Sequence, residues 1–270
     1  MFTVLMLGDV VGEAGLLALE RGLPALKAQH KADFVVVNGE NAAGGFGLSA
    51  DTLNRILAAG ADLVTSGNHV FEKRDFWPVL DSDLPVLRPA NYPSGVAGKG
   101  YLTQRRKDAK VSVINLQGRE FMTPIDCPFK TFDRIYDEIT NQSLCVFAPL
   151  RELILIDFHA ESSREKEALA YYLDGRAGIV VGTHTHIQTA DEKVLPNGTA
   201  YITDLGFTGL KDSILGMDKE ACIKRTRDQV LYQMQAASAE GLLQIQGLKV
   251  CLEGDGLKAA ALERINYLLQ

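Results

Sequence analysis

The sequence predicts an α/β protein, a two-sheet sandwich flanked by helices. Three observations carry that expectation. Short apolar runs rich in Val, Ile and Leu recur along the chain, helical patterns separate the early ones, and the tail beyond Leu242 alternates like paired strands. Strands buried on both faces read as such continuous runs.

Taken in order, Thr3 to Leu7 is the first run, followed by a helix over Glu13 to His30 in which Pro24 is expected to kink or split the helix. Phe34 to Val37 is the next strand, Ser49 caps a helix reaching Ala59, Leu63 to Thr65 is a third strand, and Phe71 to Leu80 suggests a short helix. Val111 to Leu116, Leu153 to Ile156, Ile179 to Val181 and Ala200 to Ile202 complete the apolar runs. Helices are expected over Phe132 to Asn141 and Ser162 to Leu173, where Ser162 and Glu165 have capping-box spacing. Leu242 to Leu252 and Leu257 to Ile265 alternate around Glu253-Gly254-Asp255-Gly256, which reads as a hairpin. Because the final elements break the strand-helix alternation, two stacked sheets between helices fit better than one doubly wound sheet.

At 270 residues and 46% hydrophobic content, the chain can bury a full core, and residues 1–270 read as a single domain. The first residues lack a basic leader region, and no apolar run reaches the ~18 residues of a membrane span. A cytoplasmic protein without a membrane segment is therefore expected. Cys127, Cys145, Cys222 and Cys251 form no CxxC pair and read as packing residues in a reducing compartment. The formal charge of -6 argues against a duplex nucleic-acid partner, while a small charged substrate needs only a local positive site.

Function is concentrated at the strand ends. Successive runs end in Gly8-Asp9, in Gly39-Glu40-Asn41, in Gly67-Asn68-His69, in Asp157-Phe158-His159 and in Gly182-Thr183-His184-Thr185-His186. Carboxyl ends of strands form the ligand crevice of open α/β sheets, so these side chains should cluster. His184 and His186, one residue apart, share a face if the strand continues through them. Four of the five histidines lie in this set, whereas His30 closes a helix at the surface. Each preceding glycine removes a side chain where backbone turns or approaches closely.

Carboxylate, amide oxygen and imidazole together suit manganese, iron, zinc or cobalt; calcium prefers more oxygen, and thiol-loving sites would show cysteine. Asp9, Glu40, Asn68, His159, His184 and His186 exceed what one ion needs, and a carboxylate can bridge two, so a dinuclear centre is expected. Singly, a strand-end Asp9, Asn41 or Asn68 is more often a helix cap than a ligand. Five strand ends together reverse that weighting.

The order GD, GEN, GNH, lone histidine and GTHTH resembles the calcineurin-like metallophosphoesterase superfamily, whose motifs run DxH, GD, GNHD/E, H and GHxH. Val11 stands where the superfamily has its first histidine, and Glu40 where it has a bridging aspartate. Both departures are shared by a bacterial subfamily associated with 2′,3′-cyclic-nucleotide phosphodiesterase activity. GDVVG, NGENAA, RPANYP, INLQGR, DFHAE, DGRA, VVGTHTHIQTAD and LPNGTAYITD extend the likeness over nearly the whole chain.

The resemblance implies a four-layer, metallophosphoesterase-like fold and two divalent ions per chain, iron or manganese favoured, with zinc, cobalt or magnesium open. It implies Asp9, Glu40, Asn41, Asn68, His159, His184 and His186 as ligands, with Asn41 supplying an oxygen for the absent histidine, and His69 as the nearby acid or transition-state partner, a supporting hydrogen bond being its simpler role. The implied reaction is attack of a metal-bridging hydroxide on a small phosphodiester, most readily a 2′,3′-cyclic nucleotide. A phosphomonoesterase or nucleotidase stays open on the same core. So does a regulatory metal-binding protein acting through a protein partner in RNA turnover, and so does a homo-oligomer.

Other features carry less. Gly45 to Ala50 matches GxGxxA, but Asn38 to Gly44 separates it from its strand, so a loop beside the site is expected rather than a dinucleotide turn. Arg105-Arg106-Lys107 and Lys224 to Arg227 read as solvated charge runs. Arg88, Asn91 and Arg119 are substrate-side candidates with loop anchoring as the simpler role, and Asp157 shares the face of His159.

Overall fold

The computed structural model describes residues 1–143, 151–254 and 258–270. In chain order its elements are β1 (Phe2–Leu7), β2 (Asp9–Val10), α1 (Gly12–His30), β3 (Phe34–Asn38), α2 (Ala50–Ala59), β4 (Leu63–Thr65) and α3 (Trp77–Leu80). Next come β5 (Tyr101–Arg106), β6 (Ala109–Gln117), α4 (Pro128–Ser143), β7 (Arg151–His159), α5 (Ser163–Leu173) and β8 (Ile179–Thr183). The chain ends with β9 (Lys193–Val194), β10 (Ala200–Ile202), β11 (Phe207–Leu210), α6 (Lys219–Asp228), β12 (Leu243–Glu253) and β13 (Lys258–Leu269).

In the first sheet β1, β3 and β4 run parallel, and β12 joins β1 antiparallel. The other edge of β12 pairs with β13 along its length, while β11 follows β1 along the shared edge and carries β2. The second sheet has the order β5-β6-β7-β8-β10-β9, with β6, β7, β8 and β10 parallel.

Alternation along the strands builds four layers. Val4 and Met6 of β1, Val36 of β3, Val113 of β6, Leu155 of β7 and Val181 of β8 meet in one core between the sheets. Their neighbours Leu5, Leu7, Val35 and Val37 face the other way, onto Leu16, Leu19 and Leu23 of α1 and Leu53 and Ile56 of α2. Ile114, Ile154, Ile156 and Val180 likewise pack against Phe132, Ile135 and Ile139 of α4 and Leu169 and Leu173 of α5. The fold is thus a two-sheet sandwich with helices on both outer faces, as expected.

Local differences have local causes. Helix α1 runs unbroken through Pro24. An interior proline costs ~3 kcal/mol, but burial of Leu16, Leu19, Leu23 and Leu26 on the sheet contributes about 1.5–3 kcal/mol each. Ser49 and Thr52 form a reciprocal capping box at α2. Ser162 caps α5 through the Glu165 amide, but the Glu165 carboxylate accepts from the Arg119 and Glu120 amides instead of closing a box. The segment expected as a helix over Phe71 to Leu80 is helical only from Arg74, as a 3-10 turn and then α3. The tail is a hairpin, and Asp255 and Gly256 of its expected turn lie outside the described residues. Cys222 and Cys251 are buried and Cys127 half-buried, all three free, whereas Cys145 lies outside the described residues. Among the described residues no helix is long and apolar enough to cross a membrane.

Leu155 is fully buried between the sheets, so Leu155→Ala should destabilise by ~2–5 kcal/mol in urea unfolding. A change under about 1 kcal/mol would contradict the shared inter-sheet core.

Candidate metal centre

Parallel strands of both sheets end at one seam, and the expected residues follow from them. Asp9 lies just past β1, Glu40 and Asn41 just past β3, Asn68 and His69 past β4, His159 ends β7, and His184 and His186 follow β8. The structure brings all seven expected ligand residues together. His159 Nε2 is 3.0 Å from Glu40 Oε1, 3.0 Å from Asn68 Oδ1 and 3.0 Å from His184 Nδ1. Beside this group, His186 Nε2 is 3.5 Å from Asp9 Oδ2 and 3.2 Å from Asn41 Nδ2, which in turn is 3.3 Å from Glu40 Oε1. Glu40 Oε1 therefore belongs to both groups.

His184 and His186 reach the cluster differently from the expected extended path. Strand β8 stops at Thr183, and the two histidines have φ of 99° and 61°. A turn, not strand alternation, converges them. Its first amide, on His184, donates to Asp9 Oδ2 at 2.9 Å.

Beneath the cluster lies Asp157, which is not among the converging donors. Its carboxylate accepts from Thr183 Oγ1 at 2.7 Å, from Asn38 Nδ2 at 3.0 Å and from Thr65 Oγ1. Thr183 Oγ1 also lies 2.9 Å from His159 Nδ1. With its hydroxyl proton given to Asp157, Thr183 can only accept, so Nδ1 of His159 carries a proton and Nε2 is the ring nitrogen left to face the cluster. Burial raises the Asp157 carboxyl against the pull of Thr65, His159, Thr183 and Asn38.

Burial and mutual contact set the charges of the cluster. Burial pushes Asp9 up to about 7, opposed by His186 and His159. Burial would also raise Glu40, but the charge and hydrogen bond of His159 outweigh it and hold Glu40 at about 2. Burial opposes a charged His159, yet Glu40 beside it lifts that imidazole to about 9. Burial and the neighbouring His159 then push His184 down to about 3. Two buried carboxylates and three imidazoles thus share one small space, a donor set that a divalent cation would serve. Among the described residues the buried Asp9 Oδ1 has no hydrogen-bond partner, which fits an oxygen able to take a cation. Glu40, His159 and His184 each present a donor atom within 4.8 Å of the others. The donor set fits divalent ions of the manganese, iron or zinc kind.

His69 stands at the edge of this cluster. Its amide donates to Glu40 Oε2 at 3.2 Å, its Nδ1 lies 3.2 Å from Glu72 Oε1, and Phe46 packs edge-on at 5.1 Å between ring centroids. His69, Glu40, Asn41, His184 and His186 line a cavity of about 640 Å³ whose far wall includes Phe46, Leu215, Met217, Leu231, Tyr232 and Met234. A smaller cavity of about 250 Å³ near the starts of β7 and β8 has no histidine in its lining.

Gly45 and Phe46 line the cavity, which makes the GxGxxA stretch a loop beside the site. Arg88 donates to the Ala97 and Pro89 carbonyls, and Asn91 donates to the Gln117 and Asp126 carbonyls, so both anchor loops. Arg119 lines a separate depression with Glu120 and Phe129. Sequence reasoning missed Asn38, Thr65, Glu72 and Asp204. Asp204 carried the same signal as the others, since it ends the run Tyr201-Ile202-Thr203 at a strand terminus.

The chain matches the YmdB-like protein family over residues 5–265. It belongs to that family. A Bacillus subtilis (strain 168) relative, 2′,3′-cyclic-nucleotide 2′-phosphodiesterase, is 42% identical over 262 residues, spanning 97% of this chain and 96% of its own. The crystal structure of a hypothetical protein from Thermus thermophilus superposes with TM-score 0.89 at 37% identity, covering 99% of each chain. That of a novel phosphatase from Mycoplasma pneumoniae gives 0.87 at 30% identity, covering 99% of this chain and 93% of its own. Membership in this metallophosphoesterase group implies divalent metal ions, and the histidine-carboxylate cluster is the candidate site for them.

Gly67 tests the cluster directly. A Cβ there would lie 2.2 Å from His159 Cδ2 and 2.3 Å from Glu40 Oε2. Gly67→Ala should weaken binding of added Mn²⁺ by ~10–100-fold or more while the circular dichroism spectrum stays native. Unchanged Mn²⁺ affinity in calorimetric titration would show that Glu40 and His159 do not form the site.

Proposed function

We propose that the protein is a metal-dependent phosphodiesterase that hydrolyses small phosphodiesters, 2′,3′-cyclic nucleotides foremost, at a centre of two divalent ions. The observation that carries this reading is the sharing of Glu40 Oε1 between the His159 group and the Asn41 and His186 group. Asn68, His159 and His184 would hold one ion, Asp9, Asn41 and His186 the other, with Glu40 common to both. Coordination through Asn41 needs its amide oxygen turned toward His186. Iron or manganese suits this mixture of imidazole and oxygen. When bound, such ions lower the pKa of water and neutralise charge on phosphoryl oxygens.

The chain's own residues supply orientation and the proton. Glu40, Asn41, His184 and His186 line the cavity together with His69, so a phosphate bound against them would lie near that ring. Glu72 engages Nδ1 of His69 and leaves Nε2 as the nitrogen that can serve a leaving ribose oxygen. Phe46 restrains the same ring from the side. Because both sheets contribute ligands, residues 1–270 would work as one domain. The free thiols of Cys127, Cys222 and Cys251 support a cytoplasmic setting.

Two measurements test the reading. For a 2′,3′-cyclic nucleotide and its matching monophosphate, kcat/KM should favour the diester; a preference for the monoester would move the assignment to a nucleotidase. His69→Ala should keep its ions and lose ~10²–10⁴ in kcat, with a smaller loss on a nitrophenyl diester that needs little protonation on departure. Loss of an ion in that variant would instead make His69 a ligand.

A further inference from the structure

Behind the histidine turn lies a buried ion pair that none of the metal motifs contains. Lys166 Nζ, from α5, meets Asp204 Oδ2 at 2.7 Å, and the two side chains are 1% and 0% exposed. The room for Lys166 comes from Gly182, where a Cβ would lie 2.7 Å from Lys166 Cδ. The same Asp204 oxygen accepts the Thr185 amide at 3.2 Å and the Thr185 hydroxyl at 2.8 Å. Thr185 is the residue between His184 and His186, whose left-handed backbone is unfavourable for any residue with a Cβ and persists only where the surroundings over-determine it. The other oxygen, Oδ1, accepts the Gly206 amide at 2.9 Å, and the Gly206 carbonyl accepts the Asp9 amide at 3.3 Å. One carboxylate therefore grips the turn that presents His186 and the loop that seats Asp9.

We propose that Asp204, neutralised by Lys166, is a positioning residue that assembles the Asp9-His186 half of the metal centre before an ion arrives. The effect is selective because the two histidines differ in support. His184 directly follows β8, whose ladder already fixes Thr183 against His159. His186 lies beyond Thr185 and outside β8; its ring meets the Leu215 carbonyl, 2.8 Å from Nδ1, and stacks on Phe207, while the backbone that presents it is held through Thr185 by Asp204. Lys166 is needed because Asp204 is otherwise a buried carboxylate at a site already holding Asp9 and Glu40, and an unpaired buried charge is strongly destabilising.

This inference rests on the two-ion reading, so the test begins with the chelated wild-type chain titrated with Mn²⁺ by calorimetry. Two binding events are expected; a chain that takes one Mn²⁺ overturns the two-ion reading, and this proposal with it, before any variant is made. Thr185→Val removes one bond to Asp204 and leaves the ion pair intact. Asp204→Asn with Lys166→Met removes the grip without stranding a charge. In both, one Mn²⁺ should bind as in the wild type while the other weakens, by ~10–100-fold in the double variant and less in Thr185→Val. The chelated variants should keep a cooperative melt, and excess Mn²⁺ should restore kcat. Wild-type affinity at both sites, or equal weakening of both, would show that the pair supports only the fold. If the double variant does not fold, Thr185→Val alone decides between these outcomes.

Discussion

The seam between the two sheets depends on one buried carboxylate. Asp157 is held by Asn38 of β3 and Thr65 of β4 from the first sheet and by Thr183 of β8 from its own. Every partner sits just before a residue of the cluster or its edge: Asn38 before Glu40 and Asn41, Thr65 before Asn68 and His69, Thr183 before His184, and Asp157 itself before His159. Apolar packing between Val36, Val113, Leu155 and Val181 draws the sheets together but is non-directional. The hydrogen bonds of Asp157 are directional, and they set how the strand ends face one another. Truncating this carboxylate would deprive Asn38, Thr65 and Thr183 of their shared charged acceptor, and hydrogen bonds to charged groups contribute about 1.5–3 kcal/mol each.

Charge placement follows from that geometry. Strand ends bring Asp9 and Glu40 into a space fully shielded from water, where like charges repel and neither is well solvated. Glu40 lifts the imidazole of His159 beside it, whereas burial, with the neighbouring His159, pushes that of His184 down. Lys166 and Asp204 balance their own charges one step farther out, so the turn is held without adding net charge at the centre.

Much of this was legible in the sequence, for physical reasons. Apolar runs leading into each strand end report burial, and the glycine-then-polar pattern reports close backbone approach, so two stacked sheets between helices and the converging strand ends could be read directly. Pairings across the seam could not. Asn38 and Thr65 are ordinary polar residues at strand ends, and nothing in periodicity says that both meet Asp157 from the opposite sheet. The φ reversal at His184 and His186 was also hidden, because alternation placed both side chains on one face and a turn reaches the same outcome by another path. Pro24 misled for the opposite reason: a local breaker signal was outweighed by the apolar stripe of α1 on the sheet. Residues 229–242, which wall the cavity with Leu231, Tyr232 and Met234, lie in no helix or strand and carry no periodic signal.

The central claim is that one glutamate at the seam joins two metal positions. Anomalous scattering from a crystal grown with Mn²⁺ tests it most directly. Two peaks flanking the Glu40 carboxylate, one beside Asn68, His159 and His184 and the other beside Asp9, Asn41 and His186, are the result this account predicts. A single peak, or ions held without Glu40, would contradict it.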